Sequence, residues 1–326
     1  MFSYIDFPSW LSPTVVPFLP VRWYSVMYIF AFATAYIVFR KLCRQGYLGY
    51  MDSDKSASLF LWVITGLLIG ARLASCLIYD KTVNYWTHPW LIVWPFTSDG
   101  KFVGLPGMSY HGGVIGGCLM GYIFCRKNNY RFTDVGDILL IGTSLGYTFG
   151  RIGNFINGEL WGRCTGSSFG MIFPDAPRFS TSLEWVRECA DKAGIKYNLG
   201  DYVNLPRHPS QLYEALFEGI ILFLILYFII RPMIKTHGRG LSLGVYLSGY
   251  GLFRFIIEYF REPDSQMGFI IKLGKEWEPT AIFKSALNIS MGQILCLIMI
   301  CIGLFLIIRS CKLKPTVYSK KGKTLK

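Results

Sequence analysis

The sequence predicts an all-α polytopic membrane protein with about seven transmembrane helices. Hydrophobic residues make up 52% of the 326 residues, charged residues only 16%, and the mean hydropathy is +0.37. Long apolar runs account for this excess, and a bilayer core of ~30 Å accepts helices of about 20 such residues. Basic residues follow alternate runs, as they do in cytoplasmic loops. We therefore expect one integral membrane domain over residues 1–326.

The apolar runs give the order of the predicted helices. They lie at about 23–39, 59–79, 109–124, 137–149, 209–231, 241–260 and 291–308. Basic side chains cluster after the first, third, fifth and seventh runs, which predicts that the N-terminus faces outward and the C-terminus the cytoplasm. The first 20 residues lack a basic n-region and a cleavage site, so we expect no removed signal peptide.

The net charge of +13 is concentrated in part at the basic tail, residues 309–326. A basic segment beside an apolar helix is expected at a cytoplasmic membrane face, where anionic lipids attract it. The charge therefore favours a membrane surface, and we predict no nucleic-acid partner.

The second and third runs carry small residues at helical spacing. They are Gly66, Gly70 and Ala74 in the second run, and Gly116, Gly117 and Gly121 in the third. Because small side chains let membrane helices approach closely, both runs are suited to tight helix packing.

A polar region of mixed charge, residues 154–207, separates the fourth run from the fifth. It is too long for a turn, so we expect a small outward domain whose fold the sequence leaves open. Cys164 and Cys189 share this region, and their spacing does not decide whether they form a disulfide. The nine cysteines contain no CxxC pair and no Cys/His ligand spacing, so we predict no metal site.

The stretch Gly150–Gly162, GRIGNFINGELWG, follows the fourth run and is rich in polar groups. Four such side chains fall within nine positions: Arg151, Asn154, Asn157 and Glu159. Ionisable groups at a membrane boundary are costly unless they are paired or functional. The alternative is a capped helix end at the lipid interface, anchored by Trp161.

The sixth run carries a polar stripe. Tyr250, Arg254, Glu258 and Arg261 recur at spacings of four, four and three, which places them within a helical arc of roughly 80°. A polar stripe on an apolar helix must face the bundle interior or a water-filled cavity.

A structural ion network is the alternative to a binding site. Arg254 and Glu258 can pair at i,i+4, and three further carboxylates are available to the remaining arginines. The arginines are Arg72, Arg151 and Arg261, and the carboxylates are Glu159, Glu214 and Glu218.

Several arginines converging on a membrane cavity predict an anionic ligand. The guanidinium fork matches phosphate oxygens bidentately and stays charged at any working pH. The abundant phosphate of a membrane is the lipid head group, although a soluble phosphate ester fits the same chemistry.

His111 opens the third run beside Gly112 and Gly113. Its usual pKa near 6.5 makes it a candidate general base, and the glycines leave room for a substrate. The alternative is a structural histidine whose ring nitrogens are hydrogen-bonded within the protein.

Tyr24 is a candidate hydrogen-bond donor or a member of the interfacial aromatic belt. For His208 we expect a helix cap.

The polar stretch Gly150–Gly162 resembles the signature of the prolipoprotein diacylglyceryl transferase family. Further segments resemble the family in order along nearly the whole chain. They are WYSVMY near the start, MSYHGG at Met108–Gly113, RHPSQLYEAL at Arg207–Leu216, GYGLFRFIIEYFREPD at Gly249–Asp264 and ISMGQIL at Ile289–Leu295.

The resemblance implies an enzyme of the bacterial inner membrane that acts before signal peptidase II. It would transfer the diacylglyceryl group of phosphatidylglycerol to the lipobox cysteine at the signal peptide of a prelipoprotein, and release glycerol phosphate. It implies no metal or organic cofactor, and a seven-helix body with a periplasmic head formed by loops. The family's important positions map onto Tyr24, His111, Arg151, Asn154, Gly162, Arg254, Glu258 and Arg261.

From the residues and the resemblance together we predict a set of site residues. The catalytic candidates are His111, Arg151, Arg254 and Glu258, and the substrate-binding candidates are Tyr24, Arg72, Asn154, Glu159, Tyr250 and Arg261. A transporter for an anionic lipid or metabolite would share the arginine-lined cavity, and so would a non-catalytic lipid-binding protein. Transporters are often built from repeated halves, and no such repeat is evident in the sequence.

Overall fold

The structure is a computed structural model. It describes residues 4–16, 21–49, 51–80, 83–96, 99–101, 104, 107–235, 239–263, 268–274, 280–283 and 285–314. The chain divides into two compact units. The first comprises Met1–Val38 and Asp137–Pro315, and the second comprises Phe39–Gly136 and Thr316–Lys326. Most of the basic tail, 315–326, lies outside the described residues.

Each predicted apolar run lies in a helix over most of its length, so the all-α fold class is confirmed. The helices are α1 (Trp23–Arg44), α2 (Ser53–Ala74), α3 (Tyr110–Lys127), α4 (Phe132–Ile156), α5 (Glu184–Ala193), α6 (Ser210–Met233), α7 (Leu241–Ile257) and α8 (Met291–Lys312). Four of them, α1, α2 with its extension to Tyr79, α6 and α8, are long and apolar enough to cross a membrane, and α7 is a shorter apolar helix. The chain is a multi-pass membrane protein, and a total of seven spans stays a prediction.

Two helix boundaries differ from the sequence expectation in a way that matters for the site. α4 continues to Ile156, so Arg151 and Asn154 of the polar motif are helical. α7 ends at Ile257, and the chain then tightens into a turn in which Phe260 N–H donates to the Ile257 carbonyl at 2.8 Å. The prediction that Arg261 lies on the helical stripe is therefore wrong. Pro263 follows shortly, and proline disfavours helix both at its own position and at the residue before it.

Within the second unit, α2 and α3 pack through their glycines. A methyl group at Gly70 would overlap the carbonyl oxygen of Gly112, and one at Gly66 would overlap that of Gly116. Only glycine allows two helix backbones to approach so closely. This confirms that the small-residue stripes of both runs are packing surfaces.

The polar region of the first unit is built around three short strand pairs. β1 (Ile5–Asp6) pairs in parallel with β2 (Met171–Ile172), whereas β3 (Phe179–Ser180) is antiparallel to β4 (Tyr202–Val203) and β5 (Phe269–Lys272) is antiparallel to β6 (Asn288–Ser290). The registers include Ile5 opposite Met171, Phe179 opposite Val203 and Ile271 opposite Ile289. Residues from both ends of the chain therefore complete the region that begins at the polar motif.

Two small apolar clusters form the core of this region. One contains Cys164, Trp185 and Leu205 with Cys189 packed against it, and the other contains Phe173 with Phe7 packed against it. Cys164 is a free thiol, so the disulfide left open by the sequence is not formed in this structure. Burial raises the pKa of the Cys164 thiol to about 12, which keeps it protonated and unreactive at neutral pH.

Close contacts between α4, α6 and α7 prepare the site. A methyl group at Gly219 of α6 would overlap Thr148 of α4, so glycine brings these two helices together. Asp137 of α4 accepts hydrogen bonds from the backbone N–H groups of Gly240 at 2.6 Å and Leu243 at 2.8 Å, and it thereby caps α7. The three helices are thus joined both by packing and by a carboxylate cap.

Candidate active site

Three arginines converge on one buried carboxylate, Glu214. Arg151 Nε lies 2.8 Å from Glu214 Oε2, and Arg254 Nη1 lies 3.0 Å from Glu214 Oε1. Arg261 Nη1 lies 3.4 Å from the same Oε1 atom. The Glu214 side chain is 1% exposed, whereas the three arginine side chains retain 15% to 18% exposure. We call Arg151, Arg254, Arg261 and Glu214 the arginine cluster.

Glu258 binds the far side of Arg254. Its Oε2 atom lies 3.3 Å from Arg254 Nη2, and its Oε1 accepts a 3.0 Å hydrogen bond from the Ser290 hydroxyl. Ser290 also caps α8, together with Gln293. A methyl group at Gly292 would lie only 2.8 Å from Glu258 Oε1, so a glycine there makes room for the carboxylate. The end of α7 and the start of α8 together fix Glu258, and Glu258 in turn orients Arg254.

A second hydrogen-bonded chain runs from Arg151 along α4 to α6. Arg151 Nε donates to the Tyr147 hydroxyl at 2.6 Å, and that hydroxyl donates to Glu218 Oε2 at 2.5 Å. The Arg151 guanidinium carbon also lies 4.8 Å from the centre of the Tyr147 ring. Tyr250 packs edge-on against Tyr147 with ring centres 5.7 Å apart, which brings this residue of the predicted stripe next to the cluster.

The amide-rich half of the motif folds back on the same arginine. Asn154 Oδ1 lies 3.5 Å from Arg151 Nη1, and Asn154 Nδ2 donates to Glu159 Oε1 at 2.8 Å. Asn157 donates to the same carboxylate oxygen at 3.3 Å. Gln211 of α6 donates to the backbone carbonyl of Glu159 at 2.5 Å, which joins the motif to the helix that carries Glu214.

Tyr24 belongs to the same unit and lies beside the motif. Its ring lies 3.4 Å from the position that a methyl group at Gly153 would occupy, and its hydroxyl is 3.0 Å from that of Tyr28. The side chain is half-buried.

Two predicted site residues, His111 and Arg72, belong to the second unit. His111 is exposed at the second position of α3, with its ring edge-on to Tyr110. Arg72 is buried, and its Nε donates to the Ile92 carbonyl at 2.7 Å. Its Nη1 and Nη2 atoms also donate to the carbonyls of Gly107 and Leu91, and the catalytic or binding roles of Arg72 and His111 stay predictions.

Sequence reasoning did not select Glu214, Glu218 or Tyr147 as site residues. It named the two glutamates only as available partners for arginines. A usable signal existed, since Glu214 and Glu218 lie four residues apart on an otherwise apolar span, as Arg254 and Glu258 do. Tyr147 lies one turn before Arg151 on α4, the spacing at which helical side chains contact each other.

Two further arginines, Arg163 and Arg207, hold the segment that carries Arg261. Arg163 Nε donates to the Arg261 carbonyl at 2.9 Å, and Arg207 Nη1 pairs with Glu262 Oε2 at 2.5 Å. The side chain of Arg207 is fully buried, and Arg163 is 2% exposed. These contacts place Arg261 in the cluster although it lies beyond the end of α7.

His208 is part of the same backbone pairing and does not cap a helix. Its carbonyl accepts from Gly162 N–H at 2.8 Å, and its N–H donates to the Arg163 carbonyl at 2.9 Å. The residue before α6 is Pro209, which makes no side-chain cap, so the expected capping role is wrong. Burial and the nearby Arg163 guanidinium lower the pKa of His208 to about 4, and the ring is neutral at physiological pH.

The arrangement is suited to binding a phosphate anion. Each guanidinium group has five N–H donors, and three of these groups meet where their side chains are only 15% to 18% exposed. Such donors stabilise charge that develops on a leaving phosphate. Among the described residues, no group of three or more His, Cys, Asp or Glu side chains is arranged to hold a metal ion.

Comparison with known proteins identifies the family. A family model described as prolipoprotein diacylglyceryl transferase matches residues 13–309. The phosphatidylglycerol–prolipoprotein diacylglyceryl transferase of Treponema denticola is 47% identical over 312 residues, covering 91% of each chain. The protein of that name from Treponema pallidum is 46% identical, over 92% of this chain and 93% of its own length. The one from Chlorobaculum tepidum is 36% identical, over 94% of each chain. The matched residues include the whole arginine cluster, and the chain belongs to the prolipoprotein diacylglyceryl transferase family.

Proposed function

We propose that this chain transfers the diacylglyceryl group of phosphatidylglycerol to the lipobox cysteine thiol of prelipoproteins. The products are an S-diacylglyceryl thioether and glycerol phosphate, and the reaction is the first step of bacterial lipoprotein maturation. The observation that carries the proposal is the convergence of Arg151, Arg254 and Arg261 on Glu214 beside membrane-spanning helices. The relatives named for this reaction, which match more than 90% of the chain, supply the substrates.

The reaction is a substitution at the glyceryl C3 carbon. The thiolate sulfur forms the new C–S bond while the C3–O bond breaks, and its electron pair leaves with the phosphate monoester. Arg151 and Arg254 bind the phosphate, with Arg261 as a third donor, and they stabilise the negative charge that grows on it. Glu258 orients Arg254 through the 3.3 Å ion pair, and Asn154 with Glu159 orients Arg151.

The remaining predicted residues have supporting roles in this proposal. Tyr24 contacts the lipid head beside Gly153, and Tyr250 supports Tyr147, which holds Arg151. For Arg72 we keep the predicted role in donor binding. Its contact with the Ile92 carbonyl also gives it a structural role in the loop before α3.

The acceptor thiol must lose its proton, because its ordinary pKa near 8.5 leaves it mostly protonated at neutral pH. We assign His111 as the general base, since its exposed imidazole at the start of α3 is open to an incoming peptide. A His111→Gln variant should lose most of its turnover while phosphatidylglycerol binding is retained. Near-normal turnover of that variant would show that another group removes the proton.

A reconstituted assay tests the function. Purified protein, phosphatidylglycerol vesicles and a lipobox peptide are combined, and peptide mass and free glycerol phosphate are measured. We expect a diacylglyceryl mass gain with equal release of glycerol phosphate, and neither with a peptide in which serine replaces the lipobox cysteine. If the peptide is unmodified while the Treponema denticola relative is active in parallel, a lipid transporter or lipid-binding protein becomes the better assignment.

The proposal includes an orientation in the bacterial inner membrane, with the N-terminus periplasmic and the C-terminus cytoplasmic. Basic residues in the last turns of α1, α3 and α8 support it: Lys41, Arg44, Arg126, Lys127, Arg309 and Lys312. In a cysteine-free background, Ser12→Cys should react with an impermeant maleimide on intact cells, and Lys314→Cys only after lysis. The reverse pattern would overturn the orientation.

A further inference from the structure

Glu214 pairs with all three arginines of the cluster, and it is not among the site residues predicted from the sequence. Both of its oxygens are used, Oε2 by Arg151 and Oε1 by Arg254 and Arg261. A carboxylate and the two non-bridging oxygens of a phosphodiester present the same kind of bidentate acceptor to guanidinium groups. Glu214 therefore makes, inside the protein, the contact that a phosphate makes when it binds.

The burial pattern indicates on which side of the arginines Glu214 lies. Its side chain is 1% exposed, whereas Arg151, Arg254 and Arg261 are 18%, 15% and 17% exposed. A ligand can therefore reach the arginines without first removing the glutamate. Arg254 Nη1 itself is buried against Glu214 Oε1 at 3.0 Å, so the exposed part of this side chain is its remaining surface.

On the basis of the proposed function, we propose that Glu214 is a positioning residue that sets how tightly the arginine cluster holds phosphate. It aligns the three guanidinium groups from behind and offsets part of their charge. The donor lipid carries one negative charge and the released glycerol phosphate carries up to two. A more positive cluster would therefore strengthen binding of the product more than binding of the donor.

This role explains why a site built for an anion contains a buried anion of its own. Among the described residues, the three arginines of the cluster pair with Glu214 and, through Arg254, with Glu258. Without Glu214 the same arginines would repel one another and would retain the leaving phosphate after the thioether has formed. With Glu214 the phosphate is bound strongly enough to stabilise the leaving group and weakly enough to depart.

The test is a Glu214→Gln variant, which keeps the side-chain shape and removes the charge. We expect the inhibition constant of added glycerol phosphate to fall by at least about tenfold, equivalent to about 1.4 kcal/mol. The KM for phosphatidylglycerol should fall less, and kcat should fall because product release becomes slow. A burst of thioether product in the first turnover should accompany the slow steady state.

Glu218→Gln is the matched control, because it makes the same change one helical turn away. Glu218 is equally buried, but its described contact is the hydroxyl of Tyr147 and no arginine nitrogen. We expect its inhibition constant to fall less than that of Glu214→Gln, since the described ion pairs join the arginines to Glu214 and none joins them to Glu218. Glu214→Asp keeps the charge and should bring the inhibition constant back towards the wild-type value.

Three outcomes would overturn the inference while leaving the proposed function intact. The first is an unchanged inhibition constant for glycerol phosphate in Glu214→Gln, and the second is weaker inhibition of that variant. The third is an equal change of the inhibition constant in Glu214→Gln and Glu218→Gln. In each case the wild type is active. An inactive wild type would instead contradict the proposed function. If Glu214→Gln does not survive detergent, the same inhibition constants are measured in membrane preparations.

Discussion

At the scale of single residues, the degree of burial separates two kinds of arginine in this protein. Arg163 and Arg207 are almost fully buried, and their contacts include backbone carbonyls. Arg151 and Arg254 pair with Glu214 and keep part of their surface exposed. The guanidinium group stays charged in both settings, so each arginine needs an acceptor. Only the second kind also has surface left for a ligand, which favours it as the phosphate-binding group.

Arg254→Lys tests the need for a fork at this position. A guanidinium group can contact Glu214 through Nη1 and Glu258 through Nη2, whereas an ammonium group is a point charge. We expect kcat/KM for the transfer reaction to fall by about 10- to 100-fold, with the protein still folded, because charge-assisted contacts contribute about 1.5–3 kcal/mol. Steady-state kinetics with phosphatidylglycerol measure this, and an unchanged value would contradict a bidentate clamp.

His208 predicts a pH dependence of stability. Its pKa is lowered to about 4 in the folded protein by burial and by Arg163, whereas in the unfolded chain it is near 6.5. Between pH 6.5 and 4 the unfolded chain therefore binds a proton that the folded chain does not, and stability falls as pH falls through this window. Above pH 6.5 this contribution is fully present and constant.

A His208→Gln variant should lose this dependence, because glutamine does not titrate. Thermal unfolding in detergent is measured at pH 7, 5.5 and 4.5 for both proteins. We expect the melting temperature of the wild type to fall more steeply than that of the variant below pH 6.5. Parallel curves would show that His208 is not the group responsible.

At the scale of secondary-structure elements, backbone approach and helix capping determine where the site residues meet. Gly162 pairs with His208 and lies across from Arg261 in an isolated bridge, which brings the motif, the start of α6 and the end of α7 together. Asp137 of α4 fixes the start of α7. Each contact is short-range, yet each joins segments that are far apart in sequence.

Gly162→Ala should abolish most activity. Its methyl group would overlap the Phe260 carbonyl and lie 2.8 Å from that of His208, so the two segments must separate and Arg261 must move. Gly150→Ala is the matched control within the same motif, because a methyl group there has no neighbour within 4 Å and alanine favours helix by about 1 kcal/mol. The transfer assay should show loss of activity in Gly162→Ala and retained activity in Gly150→Ala. Equal activity of the two variants would contradict the close packing at Gly162.

Asp137→Ala tests the cap on α7. The carboxylate satisfies two N–H groups at the start of the helix, and losing such a cap costs about 1–3 kcal/mol. We expect a fall of several degrees in the melting temperature, and a smaller fall for Asp137→Asn, which retains one acceptor oxygen. If Asp137→Ala has the same melting temperature as the wild type, the cap does not contribute to stability.

At the scale of the whole molecule, the chain consists of two compact units with different predicted roles. The first contains the arginine cluster, Tyr24 and the strand-paired polar region. The second contains α2, α3, Arg72 and His111. The two sets of predicted site residues can therefore be tested separately, by substitutions in one unit at a time.

The sequence alone determined the helical membrane architecture and the family, and it predicted the three arginines that the structure brings together. The length of an apolar run and its flanking charges are read directly from neighbouring residues. Because a bilayer accepts only helices and closed barrels, the predicted runs correspond to α1 to α4 and α6 to α8. The motif Gly150–Gly162 and the pair Arg254–Glu258 were also evident, because their residues lie close together along the chain. Helical periodicity did not extend to Arg261, since the turn after Ile257 breaks the pattern.

Only the tertiary structure decided how the charges are paired. Glu214 on α6 is the shared partner of arginines from α4, α7 and the turn that follows, and no periodicity within one helix specifies a partner on another. The same holds for Arg163 and Arg207, whose acceptors are near position 261. Ion pairing depends on distances between side chains in space, and packing of α4 against α6 through Gly219 sets those distances.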